Sequence, residues 1–244
     1  MICLIRRAGL AVLCFAFCKV VSAQGYPNKP VTLIVPFPPG ASADGVARIL
    51  SRKLSASLGK PVVVDNRPGA GGTTGLMTLA HASADGYTFG VGATGAIAVN
   101  HHLPDAAPLN PDKQLQPVAK IADIPLVFVA SQNSGIHTIQ ELGKVARDGS
   151  GLSYGTAGQF TSQHLAGELF ASTANLRMTA VPYRGSTPAL TDVIAGQIPL
   201  GVVDLTSAYP HIKSGRVIAL AVTGATRAKA APDIPTVAER GYEG

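Results

Sequence analysis

The stretch VPFPPGASADGVARIL, from Val35 to Leu50, decides the fold. An apolar run stops at two prolines and a glycine, and apolar residues return at helical spacing after Ser42. This pattern predicts a buried strand, a loop of small residues and an amphipathic helix that ends at Gly59. The apolar face of that helix is formed by Val46, Ile49, Leu50, Leu54 and Leu58.

Strand and helix patterns alternate along the rest of the chain. Thr138 and Glu141 have the spacing of a capping box for a helix that runs to about Arg147, and a short helix is predicted at 209–214. Residues 100–117 hold several prolines and predict an irregular connection. Short connections between alternating elements predict an α/β fold, with parallel sheets covered by helices on both faces. The predicted strands read VTLIVPF, PVVVD, YTFGVG, IPLVFVA, LSYGTAG, LRMTAVPY, IPLGVVD and VIALAV.

The first 23 residues have the pattern of a secretory signal peptide. Arg6 and Arg7 precede the apolar run 8–17, and small residues at alternate positions predict cleavage after Ala23. We therefore expect export in soluble form. Loss of this leader, with Lys19, leaves 17 basic against 14 acidic residues, a net charge of +3 instead of +6. No basic tract then remains that indicates a nucleic-acid partner.

Composition excludes two further classes. The 244 residues are 46% hydrophobic and 14% charged, which excludes general disorder. All three cysteines, Cys3, Cys14 and Cys18, lie in the predicted leader. The exported chain is therefore expected to have no disulfide, thiol nucleophile or thiolate metal site.

Four loops that lead from a predicted strand into a helix are rich in Gly, Ser, Thr and Ala. They read PPGASAD, GATGA, GTAGQFTSQH and PYRGSTPA. Such loops offer backbone N–H groups, short hydroxyls and helix dipoles at the carboxyl ends of strands, where α/β proteins bind ligands. For a single loop, turn formation and helix capping are sufficient explanations. Four in register indicate a cleft for a small anion, especially one with carboxylates at its ends.

GLSYG, residues 151–155, matches the G-x-S-x-G pattern of a serine hydrolase, with Asp204 and His211 following in the usual order. A secreted hydrolase using Ser153 is the enzymatic alternative. The polar residues before the pattern argue against a nucleophile elbow, because the elbow needs a buried strand there.

Nucleotide and metal sites have weaker support. In GAGGTTG, Thr74 occupies the place of the last glycine of a dinucleotide fingerprint, and Asp85 precedes the next strand instead of ending it. His101 and His102, with Asp105 nearby, could suggest a metal site. Adjacent histidines point apart in an extended chain and no third ligand falls at helical or hairpin spacing, so they are interpreted as a solvated pair in a loop.

Three polar residues near the loops have two open interpretations each. His164 lies one turn into a helix and either caps and packs it or forms a hydrogen bond across a cleft. Asp204 ends a strand and either caps the following helix or accepts a hydrogen bond from a ligand. Arg184 either pairs with a substrate carboxylate or forms a structural ion pair.

The order of motifs resembles the tripartite tricarboxylate transporter receptor family, periplasmic solute-binding proteins also called Bug proteins. The resemblance runs from about Tyr26 to the end of the chain. It rests on YPNKPVTLIVPFPPGASADGVAR, LGKPVVVDNRPGAGGTTG, DGYTFGVG, LSYGTAG with HLAGELF, VPYRGSTPALTDVIAGQIPLGVVD, HIKSGRVIALAVTGATR and PDIPTVAERGYEG.

The resemblance implies a two-lobed periplasmic binding-protein fold (type II-like), non-enzymatic and without cofactor or metal, that closes on a small carboxylate in the periplasm. It also implies a monomer that passes its ligand to membrane transporter subunits, or alternatively presents it to a signalling partner. Lobe 1 is predicted at 24–122, lobe 2 at 123–223, and a return into lobe 1 at 224–244. The predicted ligand-binding residues are Pro39, Gly40, Ala41, Ser42, Asp44, Thr94, Gly95, Ala157, Gly158, Thr161, His164, Arg184, Gly185 and Asp204.

The sequence departs from the family pattern at three places. Ala41 and Ala43 replace a glycine and a threonine of the first loop, and Phe160 stands where glycine is common. These changes predict a less charged or less hydrated ligand. Family members also continue past the PTVAE block, so the C-terminal part of the first lobe is expected to be missing from this chain.

Overall fold

A computed structural model describes residues 25–103, 109–148 and 151–242. The predicted signal peptide and Asp105 lie outside these described residues. Within them, no helix is both long enough and apolar enough to cross a membrane.

The first lobe is a three-stranded parallel sheet in the order β2-β1-β3. Leu33 of the central strand lies opposite Val64 on one side and Phe89 on the other. Its neighbours Val31 and Val35 are buried in the same cluster. The elements of this lobe are β1 (Val31–Val35), α1 (Ser42–Leu58), β2 (Val62–Asn66), α2 (Thr73–Ala80) and β3 (Thr88–Gly90).

In the stretch predicted to be irregular, the described residues form only short helical turns and segments without regular structure. A π-helical turn (Gly95–Val99) runs into a 3₁₀ turn (Asn100–His102), and α3 (Pro111–Gln114) follows. Asn110 caps α3 by accepting a hydrogen bond from the Lys113 N–H at 3.2 Å. Residues 115–125 then lead to the second lobe without regular structure.

The second lobe is a five-stranded sheet in the order β6-β5-β7-β4-β8. Strand β5 is parallel to β6 and β7, as expected, but β4 is antiparallel to both β7 and β8. The prediction of mainly parallel sheets is confirmed, and β4 is the exception. The elements are β4 (Leu126–Ser131), α4 (Ile139–Asp148), β5 (Leu152–Thr156), α5 (Ser162–Thr173), β6 (Met178–Pro182), α6 (Ser186–Ile194), β7 (Leu200–Asp204), α7 (Leu205–Lys213) and β8 (Val217–Val222).

The direction of β4 follows from where the chain enters this lobe. Leu126, its first residue, lies opposite Asp204, the last residue of β7. The chain therefore arrives at the edge where β7 ends and runs away from it. Side chains alternate between the two faces: Phe128 and Ala130 pack in one buried cluster, and Val127 and Val129 pack in the other.

The C-terminal residues 224–242 pack on the second lobe. The N–H of Val222 donates to the Pro235 carbonyl at 2.8 Å, and the N–H of Val237 donates to the Val222 carbonyl at 2.9 Å. Ile234 is buried in a cluster of the five-stranded sheet, and the Tyr242 ring centroid lies 5.1 Å from that of Phe170. The predicted return of this segment into lobe 1 is therefore wrong for residues 224–242, because their apolar side chains are buried in lobe 2.

Helix boundaries agree with the sequence signals in two cases and differ in one. Gly59 ends α1 in the left-handed conformation, with φ 66°. The Glu141 N–H donates to Thr138 Oγ1 and the Thr138 N–H donates to Glu141 Oε2, both at 3.1 Å, which confirms the capping box. Helix α7 begins at Leu205, four residues before the predicted short helix.

Candidate ligand cleft

The predicted loops meet where the two lobes face each other. The Thr187 hydroxyl donates to the Gly40 carbonyl at 3.4 Å, which joins the first turn of α6, at the end of the loop after β6, to the loop after β1. On the other side, with its amide oriented to donate, Asn100 hydrogen-bonds the carbonyls of Gly95 and Phe160 at 3.0 Å each. Two loops of each lobe are thus held against two of the other.

Asp44 fixes the conformation of the first loop. Its carboxylate is buried and accepts hydrogen bonds from the Gly40 N–H at 3.0 Å, Arg48 Nε at 2.8 Å and Asn66 Nδ2 at 2.9 Å. Burial raises the pKa of Asp44, but these hydrogen bonds together outweigh it, so the pKa lies below its ordinary value. Asp44 was expected to contact ligand; in this structure it positions the loop, and it occupies the Gly40 N–H.

Three helices at the cleft begin without a side-chain cap. The N-cap residues of α1, α6 and α7 are Ala41, Gly185 and Asp204, and none accepts a hydrogen bond from its helix through a side chain. The amides of a first helical turn have no intrahelical acceptor. An uncapped N-terminus is therefore a set of free donors with a positive dipole end, the arrangement that attracts anions.

Two of these N-termini lie side by side across the lobe boundary. The Ser42 hydroxyl, at the start of α1, lies 2.5 Å from the Thr206 hydroxyl and 3.1 Å from the Ser207 hydroxyl, both in the first turn of α7. The third is close as well, since Ser186, the first residue of α6, accepts a hydrogen bond from the Asp204 N–H at 3.2 Å. The cluster is neutral except for Asp204.

The Asp204 carboxylate lies within this cluster at the end of β7. It accepts a hydrogen bond from Gln163 Nε2 at 2.5 Å. Burial raises the pKa of Asp204, and hydrogen bonds from Ser42, Gln163 and Ser186 lower it only in part. A carboxyl group with a raised pKa in the gap between two lobes is a candidate binding residue.

The loop before α5 is arranged differently, because its polar side chains stabilise the loop itself. Thr161 caps α5 by accepting from the His164 N–H at 3.4 Å and donates to the Gly158 carbonyl at 2.7 Å. His164 Nδ1 accepts from the N–H of Phe160, which has a φ of 60°. For His164, the structure shows the capping and packing role.

The remaining predicted residues occupy the loops with differing exposure. Ala157 and Gly158 are buried, and Gly158 has a φ of 137°. Pro39 and Thr94 are exposed. Arg184 is exposed too and forms no ion pair within the described residues. The structural ion pair is therefore not observed there, and the pairing with a substrate carboxylate stays a prediction.

Sequence reasoning missed Gln163, Thr206 and Ser207. Gln163 is a buried amide directly before His164. A long polar side chain in a loop of mostly small residues is the sequence feature that could have identified it. Thr206 and Ser207 were missed because the helix after Asp204 was placed four residues too late, which left their hydroxyls outside its first turn.

The hydrolase pattern has no nucleophile elbow. Ser153 lies inside β5 opposite Thr179 and is not followed directly by a helix, since α5 starts at Ser162. Among the described residues, no group of three or more His, Cys, Asp or Glu is placed to hold a metal ion.

This chain has two α/β lobes whose strand-to-helix loops face each other across a cleft. That arrangement is typical of the class of solute-binding proteins. Residues 46–244 match the family model described as tripartite tricarboxylate transporter family receptor. The chain belongs to this family, whose members and structural neighbours are solute-binding proteins and not enzymes.

Relatives and solved structures agree with this assignment. The protein BugT of Bordetella pertussis is 35% identical over 98% of this chain and 74% of its own length. A Pseudomonas sp. (strain P51) protein from the tcbD-tcbE intergenic region is 42% identical over 88% of this chain, which spans 64% of that relative. The periplasmic binding protein BugD matches with TM-score 0.84 and 33% identity, over 90% of this chain and 73% of that one.

Two further solved neighbours hold ligands. An R. palustris protein solved with adipate has TM-score 0.86 and 34% identity, over 90% of this chain and 74% of its own. MatC from Rhodopseudomonas palustris, with bound malate, has TM-score 0.83 and 30% identity, over 89% and 74%. Both ligands are dicarboxylates.

Proposed function

We propose that this protein captures a small dicarboxylate between its two lobes, in the periplasm, and delivers it to the membrane subunits of a tripartite tricarboxylate transporter. The observation that carries the proposal is the convergence of three uncapped helix N-termini, those of α1, α6 and α7, at the boundary between the lobes. Amides left without acceptors in one place favour an anion there.

The contrast with α4 supports this proposal over simple helix termination. Helix α4 has both capping-box hydrogen bonds, between Thr138 and Glu141. Helix α5, which also begins at the lobe boundary, is capped by Thr161. The starts of α1, α6 and α7 lack such side-chain caps, so their first-turn amides are the donors left for a ligand.

The ligand class follows from charge and from the neighbours. Among the residues that the structure describes, no lysine or arginine takes part in the hydrogen-bonded cluster around Ser42 and Asp204, so backbone amides and hydroxyls would hold the carboxylates. Neighbours at 30–34% identity hold malate and adipate. A four- to six-carbon dicarboxylate is therefore the first class to test.

The test is a thermal melt of the purified protein with and without a panel of carboxylates that includes malate and adipate. A ligand at a hundred times its dissociation constant adds about 2.7 kcal/mol to the free energy of unfolding. We expect one or two dicarboxylates to raise the melting temperature and tricarballylate or acetate to raise it less. A cooperative melt that no dicarboxylate shifts would contradict the proposal.

Delivery to a transporter, export with cleavage after Ala23, and a monomeric receptor complete the proposal. They are supported by the family and by the leader pattern of residues 1–23. Co-purification of a tagged receptor with transporter membrane subunits, only in the presence of the identified ligand, tests delivery. Capture by a sensor protein instead would favour the signalling alternative.

A further inference from the structure

A cavity of about 350 Å³ lies between helices α6 and α7. On α6 it is lined by Thr187 and Thr191, one turn apart, and on α7 by Ser207 and His211, also one turn apart. Gly40 completes it from lobe 1 and is the only lining residue that it shares with the predicted cleft set. The volume is at the lower end of the range for small-molecule sites.

One wall of this cavity is cationic. Arg216 lines it, is exposed, and forms no salt bridge within the described part of the chain. Its Nε donates to the Ser214 hydroxyl at 3.3 Å, which orients the guanidinium and leaves its terminal nitrogens for another acceptor. Arginine binds carboxylates through paired, charge-assisted hydrogen bonds.

His211, beside Arg216, carries a buried polar atom that has no partner. Its Nδ1 is inaccessible to solvent and has no hydrogen-bond partner in the described residues. Burial, and to a lesser degree the nearby Arg216, lower the pKa of His211, so the imidazole is neutral at neutral pH. Buried polar atoms are nearly always satisfied in native proteins, and one that is not indicates a missing ligand or water.

Part of the lining is apolar. Leu190 and Ile194 of α6 also line the cavity; Leu190 is buried in the core and Ile194 is partly exposed. A ligand here meets a single positive charge and an aliphatic surface within a small volume. A second carboxylate would have no cation of its own among the lining residues.

We propose that this cavity is a second ligand site, which binds a small aliphatic monocarboxylate with its carboxylate on Arg216 and its alkyl chain on Leu190 and Ile194. The site adjoins the dicarboxylate cleft, with which it shares Gly40, Thr187 and Ser207, and it extends from there to Arg216. Its lining comes from both lobes, so it is complete only when Gly40 lies against Thr187 as it does here.

The experiment is an NMR titration of the purified protein with butyrate, following backbone amides. We expect saturable shifts at Thr187, Thr191 and Ser207. In Arg216→Ala, we expect the apparent affinity to fall by about tenfold or more, because a charge-assisted hydrogen bond is lost. Arg177→Ala is the matched control, since Arg177 is exposed in the same lobe and does not line the cavity.

Adipate, titrated in parallel, separates this inference from the proposed function. Adipate shifts at Gly158 and Gly185 report on the cleft, and butyrate shifts at Thr191, which lines the cavity and takes no part in the cleft contacts, report on the cavity. Butyrate shifts without adipate shifts would support the second site and contradict the dicarboxylate function. Butyrate shifts confined to Gly158 and Gly185, or equal affinity in Arg216→Ala and Arg177→Ala, would overturn the second site.

Discussion

At the scale of single residues, the carboxylates of this protein divide by their surroundings. Asp44 accepts hydrogen bonds from its own lobe, one of them from the Arg48 cation, whereas the hydrogen bonds to Asp204 at the lobe boundary come from the neutral side chains of Ser42, Gln163 and Ser186. The first therefore has a lowered pKa and the second a raised one. The two aspartates have opposite consequences for stability as the pH changes.

Asp44→Asn is expected to destabilise the protein by about 2 kcal/mol at pH 7, because hydrogen bonds to a charged buried acceptor are lost. A lowered pKa contributes stability above the unfolded-state pKa, and this stability is lost as the pH falls through the folded-state pKa. The variant should therefore show a flatter fall in stability below about pH 4. Urea denaturation at several pH values measures both effects.

Asp85→Asn is the control for that prediction. Asp85 also has a lowered pKa, mainly from the Tyr87 N–H and then Lys29, but it is exposed. Exposed pairs contribute little, so its loss should change stability far less. Equal effects of the two substitutions would show that the Asp44 hydrogen bonds do not hold the first loop.

Asp204→Asn is expected to change how ligand binding depends on pH, because the pKa of Asp204 is raised where that of Asp44 is lowered. A carboxyl group whose pKa is raised in the folded protein takes up a proton more readily than in the unfolded chain, so wild-type stability and affinity for an anion should both rise as the pH falls through that pKa. In the variant, the amide side chain at position 204 is uncharged at every pH. The variant should bind the dicarboxylate at least as tightly at pH 7 and should lack this pH dependence.

Calorimetric titration of wild type and Asp204→Asn across the same pH series makes the comparison. Protonation of the ligand itself affects both proteins equally, so the difference between the two curves belongs to Asp204. Affinities of the two proteins that change with pH in the same way would show that the charge of Asp204 does not affect binding of the anion.

At the scale of elements, α1 follows the loop that faces the second lobe. The glycine inside this helix and the glycine that ends it differ in the backbone conformation that they must adopt. Gly45 is exposed inside the helix, where an added Cβ meets nothing within 4 Å. Gly59 has equal space but a φ of 66°. Gly45→Ala should stabilise the protein by about 0.5–1 kcal/mol, and Gly59→Ala should destabilise it by about 1 kcal/mol.

Thermal melts of the two glycine variants check this prediction, since each is the control of the other. Both gain the same methyl group on the same helix. A shift of the same sign in both would show that backbone conformation at Gly59 does not limit the end of α1.

The sequence predicted elements well where the signal is local. Gly59 and the pair Thr138 and Glu141 mark helix ends through contacts within a few residues, and these predictions are confirmed. The direction of β4 was not predictable in this way, because it depends on which edge of the lobe the chain enters. The position of residues 224–242 depends likewise on which apolar surface they reach.

The candidate site was predictable as a set of loops but not as a set of contacts. Loop composition identified where helices begin, and the structure brings those loops together. Whether a polar side chain serves its own loop, as Thr161 and His164 do, or faces the other lobe, as Ser42 does, depends on distances between segments far apart in sequence.

At the scale of the whole molecule, the two lobes approach through backbone as well as side chains. An added Cβ on Gly95 would lie 2.6 Å from the Phe160 carbonyl oxygen and 3.2 Å from the Ser162 nitrogen, which belong to the other lobe. The glycine is required by this close approach, since its φ is not in the left-handed region. Any side chain there must push the lobes apart or shift one loop.

Gly95→Ala is therefore expected to weaken dicarboxylate binding by about tenfold or more, because the contact arrangement of the lobes becomes strained. Small-angle X-ray scattering with saturating ligand should give a larger radius of gyration for the variant than for wild type. Gly45→Ala is the control, as it adds the same methyl group to the same lobe in open space. Weaker binding with an unchanged radius would mean that Gly95 contacts the ligand directly, whereas unchanged binding would show that the approach of Gly95 to Phe160 is not needed to hold the ligand.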